Sequence, residues 1–111
     1  MADESHFTGI EVGTYNDDNN ALIGGILSAT ATLDFGNTAA QTSTDLTITV
    51  TGAADGDSVI LGVPDGSTLA GGVFSAWVSA ANTVTVRFTN ETAGALNPAS
   101  GTFRATVFQF N

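Results

Sequence analysis

The side chains that could do chemistry are few and scattered. His6 is the only histidine of the chain; with no second imidazole or thiolate near it in sequence, and among polar neighbours, it reads as an exposed residue, neither a metal ligand nor the base of a serine nucleophile. Two short runs, Asp17-Asp18-Asn19-Asn20 and Asp55-Gly56-Asp57-Ser58, concentrate oxygen donors as a hard cation such as Ca²⁺ prefers. Neither has the twelve-residue ligand spacing with a closing bidentate Glu, and Asp and Gly are also the residues of tight turns, so both runs read as turns. Asp34-Phe35-Gly36 matches a kinase magnesium motif in letters only, since the glycine-rich loop, the strand lysine and the catalytic loop are missing. Asn90-Glu91-Thr92 fits the N-glycosylation pattern, a match too common to carry weight by itself. The sequence therefore points to no catalytic residue, no metal site and no cofactor, and the chain is expected not to be an enzyme.

Charge is more informative. Eleven acidic residues stand against two arginines and no lysine, a formal net charge of −9, which argues against binding nucleic acid or an anionic membrane through a basic patch. Arg87 falls on the Thr83, Thr85, Thr89 side of its segment, opposite Val84, Val86 and Phe88; Arg104 falls opposite Phe103 and Ala105. Each is expected to meet a carboxylate, either in its own chain or across a subunit contact. Trp77 shares a side with Val73 and Ser75 while Phe74, Ala76 and Val78 take the other, and Phe108 and Phe110 oppose Phe103 and Val107. Strands apolar on both sides in so small a chain are either central or covered by a partner, and self-association is the expectation.

The elements that must position these residues are strands. With 111 residues, 13 Gly, 17 Thr and 42% hydrophobic residues, the chain has the size of one small domain and a β-rich, turn-rich composition. Leu46, Ile48 and Val50 alternate with Thr47, Thr49 and Thr51, as a strand with one wet side requires. Similar segments are expected at 29–35, 44–52, 58–63, 73–79, 83–89 and 102–110, separated by Gly36-Asn37, Asp55-Gly56-Asp57 and Pro64-Asp65-Gly66. Residues 21–27 group like a helix, but the Gly24-Gly25 pair argues against one. The expected fold is all-β: an antiparallel β-sandwich of jelly-roll type over residues 29–111, with Leu46, Ile48, Val50, Val59, Leu61, Val84, Val86 and Phe88 in its core. Residues 1–28, where Phe7, Ile10 and Tyr15 sit among acids and amides without a sustained period, are expected to be an extended N-terminal arm that hides at most one or two further strands. The acidic, polar start lacks the basic-then-apolar pattern of a secretory signal, so a soluble protein made in a cytoplasm and not exported by the usual route is the default expectation.

From about Ser28 to Phe108 the chain resembles a small domain of tailed-bacteriophage structural proteins. The resemblance runs through Ala31-Thr32-Leu33-Asp34-Phe35-Gly36, Asp45-Leu46-Thr47-Ile48-Thr49-Val50-Thr51-Gly52-Ala53 and Gly56-Asp57-Ser58-Val59. It continues through Val78-Ser79-Ala80-Ala81-Asn82-Thr83-Val84-Thr85-Val86-Arg87-Phe88-Thr89-Asn90 and Asn97-Pro98-Ala99-Ser100-Gly101-Thr102-Phe103-Arg104. These are strand and turn signatures, so the resemblance implies architecture and a virion location, with trimeric assembly, and assigns no chemistry. A free-standing domain with a short arm is more like a capsid decoration (cement) protein on the outer head surface, gripping the major capsid protein, than like a tail fibre or receptor-binding tip, which is the alternative. On that reading the subunit or capsid contacts are Phe7, Ile10, Tyr15, Trp77, Arg87, Arg104, Phe108 and Phe110.

Overall fold

The computed structural model describes residues 23–110, so the expectations that rest on Phe7, Ile10, Tyr15, His6 and Asp17-Asp18-Asn19-Asn20 lie outside the described residues. Six strands follow one another: β1 Ile23–Leu33, β2 Ser43–Thr49, β3 Ser58–Gly62, β4 Gly72–Ala80, β5 Thr83–Asn90 and β6 Gly101–Phe110, with a single 3-10 turn at Asp65–Ser67 between β3 and β4. No α-helix occurs among the described residues. The strands form two antiparallel three-stranded sheets, ordered β1-β6-β3 and β2-β5-β4.

Alternation decides which side of each strand is dry. Along β6, Phe103, Ala105 and Val107 are fully buried; along β5, Val84, Val86 and Phe88 are fully buried. Because β5 and β6 are the middle strands of their sheets, these six residues form the centre of one shared core. The two sheets meet there directly: the Phe74 ring of β4 lies 5.2 Å from Phe103 of β6, and Phe35, just past β1, sits 5.6 Å from Phe74 and 5.7 Å from Phe103. Such tilted and edge-on pairs add to the area that the rings bury. Of the core expected from sequence, Ile48, Val50, Val84, Val86 and Phe88 are buried. Leu46, Val59 and Leu61, on the outermost strands β2 and β3, are only partly buried and pack against the margin of that core.

Two boundaries differ from expectation. β1 begins at Ile23, so residues 23–28, expected in the arm, form the first half of a strand. The Gly24-Gly25 pair hides this by breaking the alternation, and the register between Ile23 and Gly25 shifts there, as a bulge does. Long-range pairing overrides the weak local signal: β6 is ten residues long and binds β1 along its length, from Ile23 opposite Phe110 to Leu33 opposite Gly101. β2 in turn stops at Thr49, three residues early, because Val50 N–H turns to donate to the Asn82 carbonyl at 2.9 Å and Gly52 takes a φ of +98°, where a side chain is disfavoured.

Candidate functional site

The register sets which exposed side chains are neighbours. On the outer face of the β1-β6-β3 sheet, Ile26, Phe108 and Ser58 form one row, Ser28, Thr106 and Ile60 the next, and Thr30, Arg104 and Gly62 the third; Phe110 stands opposite Ile23 at the apolar end. Ile60 is 60% exposed and Phe110 51%, so this end of the face is an apolar strip open to solvent. No acidic residue lies on the three strands. Arg104 is the one cation on these three strands, and it donates from Nη1 to the Ser28 hydroxyl at 2.7 Å. The carboxylate expected for Arg104 is therefore not found among the described residues: the strands beside it carry Thr30 and Gly62 at its level, and its hydrogen bond goes to a hydroxyl.

The outer face of β2-β5-β4 carries a different group. Arg87 donates from Nε to Asp45 Oδ1 at 2.8 Å and from Nη2 to Oδ2 at 3.0 Å, a two-pronged pair between cross-strand neighbours, so this arginine finds its carboxylate in its own chain. Its guanidinium lies 4.8 Å from the centre of the Trp77 ring, a cation–π distance. The hydrogen bonds from Arg87 hold the Asp45 carboxyl below its usual value against a small opposing effect of burial, and the same bonds push Arg87 up. Ser75 stands beside Arg87 and Thr85 beside Trp77, with Thr47 beyond, giving a platform of one flat aromatic ring, one neutralised ion pair and hydroxyls. Hydroxyls also bridge strands here, Ser43 to Thr89 at 3.1 Å and Ser79 to Thr85 at 2.6 Å, which explains the threonine-rich outer positions as cross-strand pairing.

The eight expected contact residues are therefore divided. Arg104, Phe108 and Phe110 come together on one outer face, Trp77 and Arg87 on the other, and Phe7, Ile10 and Tyr15 lie outside the described residues. Sequence reasoning missed Ile26 and Ile60, which complete the apolar strip. Ile60 was hidden in a segment apolar throughout, and only pairing with Thr106 turns it outward. Asp45 was visible as an outward residue of a clean strand, but its partner is 42 residues away.

The remaining motifs are structural. Asn90 of the glycosylation pattern is fully buried: Nδ2 donates to the carbonyls of Thr38, Ala39 and Gly94 at 3.0, 3.2 and 2.8 Å, and Oδ1 accepts from the Thr92 amide and hydroxyl at 2.8 and 2.7 Å. The amide nitrogen that would carry a glycan ties two loops together instead. Asp57 accepts from the Ala54 amide at 3.0 Å and from Gln109 Nε2 at 2.8 Å, and Asp34 accepts from the Gly36 amide at 3.2 Å, each closing a turn as read from the sequence. Among the described residues no three His, Cys, Asp or Glu side chains gather as a metal site. A shallow depression of about 290 Å³ lies over Gln41, Thr89, Asn90 and Glu91; among the described residues Glu91 is its one ionisable group, with no second beside it for acid–base work. No helix among the described residues is long and apolar enough to cross a membrane.

What these two faces and the tied loops belong to is left to their own geometry, since no family model, no curated protein and no solved structure matches the chain.

Proposed function

We propose that this chain is a bacteriophage virion structural protein that decorates the head shell from outside, binding as a trimer to the major capsid protein, with the residues ahead of β1 contributing an anchoring arm. The observation that carries this reading is the outer face of β1-β6-β3: an exposed apolar strip with one arginine and no acidic residue, in a chain of net charge −9. Such a face suits a protein surface, because apolar burial drives the contact and its strands carry no acid to repel a partner. The phage setting rests on the resemblance of the strand and turn segments between Ser28 and Phe108. The jelly-roll form of the sandwich is supported by the strand order, in which β1 pairs with β6 and β2 with β5, as when one long hairpin is rolled so that its arms alternate between two sheets.

A second reading, a tail component that binds a host-surface glycan, is favoured by one observation: Trp77 is 38% exposed beside Arg87 and a set of hydroxyls, groups that could stack on and hydrogen-bond a sugar. Cryo-electron microscopy of particles carrying the labelled protein separates the two. Density distributed over the head is the expected result; label confined to the tail would replace the decoration reading with the receptor-binding one.

A further inference from the structure

We propose that two copies of this chain associate edge to edge through β1, antiparallel about a twofold axis at Ala29, and so join their two β1-β6-β3 sheets into one continuous sheet. The proposal stands apart from the trimer reading.

Among the described residues β1, β2, β3 and β4 are outermost strands, and such a strand presents unpaired amides and carbonyls along its free side, an edge that proteins blunt with charge, proline, bulges or brevity. Each of the other edges carries one of these devices. β2 has Asp45, β3 is five residues long, and β4 is interrupted by a register shift between Val78 and Ala80. β1 is the longest strand, with eleven residues of which none is charged and none is proline. Its only irregularity lies at the start, between Ile23 and Gly25, leaving Gly25–Leu33 as nine regular residues.

That stretch is complementary to itself. Antiparallel pairing about Ala29 matches all nine residues and keeps inward side chains inward, since paired positions then have the same parity. On the inner side each Leu27 meets the Ala31 of the second copy and each Leu33 meets its Gly25, so every large side chain faces a small one. Leu27, Ala29 and Ala31 are only partly buried in one copy although they point inward, and a neighbouring strand would cover them. On the outer side Ser28 meets Thr30, a hydroxyl pair of the kind that bridges strands elsewhere in this chain. Electrostatics do not oppose this edge, since β1, like β3 and β4, carries no ionisable group.

Nine paired residues give about nine backbone hydrogen bonds, within the ~10 ± 5 of ordinary interfaces. The edge itself, about 31 Å by ~10 Å, covers roughly 300 Å² per copy, well under the ~800 Å² of a stable partner surface. Association is therefore weak and concentration-dependent.

The chain has no cysteine, so single cysteines report the contact cleanly. In the full chain, Ala29→Cys places two thiols across the axis, while Ser75→Cys, more exposed and central in β4, reports both random collision and pairing through the competing edge. Under mild oxidation Ala29→Cys is expected to form covalent dimer at least tenfold faster than Ser75→Cys. The double variant Ser28→Lys, Thr30→Lys, both at exposed positions, is expected to keep its circular dichroism, to melt somewhat lower because the Arg104–Ser28 bond is lost and like charges face one another, and to weaken association at least tenfold in sedimentation velocity from micromolar to millimolar concentration. Masses built on even numbers of chains support the proposal, a dimer alone also speaking against the trimer and a hexamer agreeing with both. A trimer in which Ala29→Cys crosslinks no faster than Ser75→Cys overturns the proposal and leaves the trimer standing. A monomer throughout, or lysine substitutions without effect on association, overturns it as well.

Discussion

Replacing Asn90 by Asp exchanges one nitrogen for one oxygen, and the structure makes that a large perturbation. Nδ2 is surrounded by three carbonyl oxygens at 2.8 to 3.2 Å, and the side chain has no solvent exposure. An Asp there keeps the bonds that Oδ1 accepts from Thr92 but loses both donated hydrogens and points an oxygen at three others. Asn90→Ala provides the comparison. In that variant the three carbonyls each have another donor: Thr38 O has the Leu96 amide, Ala39 O has the amide and hydroxyl of Thr42, and Gly94 O takes the single hydroxyl proton of Thr92, which Asn90 Oδ1 no longer accepts. Only the Thr92 amide loses its sole partner, so truncation to Ala is expected to cost about 2 kcal/mol, the net worth of a few hydrogen bonds. The ionised Asp is expected to cost about 3–5 kcal/mol, as a buried charge without a partner does, a large part of the 5–15 kcal/mol that holds a typical domain folded. The sign with pH follows. Burial among carbonyls raises the native pKa of the new Asp above its unfolded value, so the native state binds more protons and stability falls as pH rises. The penalty is smallest below about pH 4, where Asp is neutral in both states, grows as pH rises toward the raised native pKa, and is level above it. Urea unfolding of the parent and both variants between pH 3 and pH 8 should therefore show Asp worse than Ala at neutral pH and no worse than Ala in acid. An Asp variant within 1 kcal/mol of the parent at pH 7 would refute the assignment of Asn90 as a buried tie.

Three further outcomes are expected. Val86→Asp buries a carboxylate at a position with no exposure, in the middle strand of its sheet, and should cost several kcal/mol or abolish folding, read from soluble yield and urea midpoint. Gly72→Ala would put its methyl group 2.5 Å from Phe88 Cε1, and because Phe88 is itself fully buried the strain is expected to cost about 1–3 kcal/mol; an unchanged melting temperature would show that β4 can move away. Asp45→Asn removes the carboxylate that Arg87 holds at a lowered pKa, a contribution fully present above the ordinary Asp value and lost as pH falls through the lowered native one. Parent and variant should thus differ modestly at neutral pH and low salt, converge in acid below the usual carboxylate range, and differ in the emission of the single tryptophan, over which Arg87 is stacked.

The parts of this molecule that were legible in the sequence are those fixed by side-chain alternation within one strand. Ile48, Val50, Val84, Val86 and Phe88 could be placed in the core, and Arg87 outside it, because a period of two says which side of a strand is dry. Contacts between distant segments were not legible. Asn90 sits in a tripeptide that reads as a surface motif, and its burial depends on carbonyls 51 and 52 residues away. Gln109, near the end of β6, donates to Gly52 and Asp57 and anchors the β2–β3 loop, yet it has no local signature at all. The first half of β1 was lost for a related reason: two glycines carry no hydrophobic pattern, and only the length of β6 reveals that a partner is needed there.

The positions of Trp77 and Phe108 constrain how copies of this chain could close on themselves. Both lie on outermost surfaces, but on different sheets whose inner sides share the core, so they face away from each other across the sandwich. A contact that laid the Trp77 face of one copy on the Phe108 face of the next would be head-to-tail, and two surfaces with opposed directions repeat that contact without turning, giving an open stack. A closed ring of three needs contact surfaces inclined to one another, so a trimer built on the Phe108 face leaves the Trp77 face outward. The acids bear on the same choice. Of the six among the described residues, Asp34, Asp55, Asp57, Asp65 and Glu91 sit in the connections at the ends of the strands, and Asp45, on a sheet face, is neutralised by Arg87. Among the described residues the unpaired acids therefore gather at the ends of the sandwich, while its broad faces and the β1 edge carry none, which favours association sideways, strand against strand or face against face.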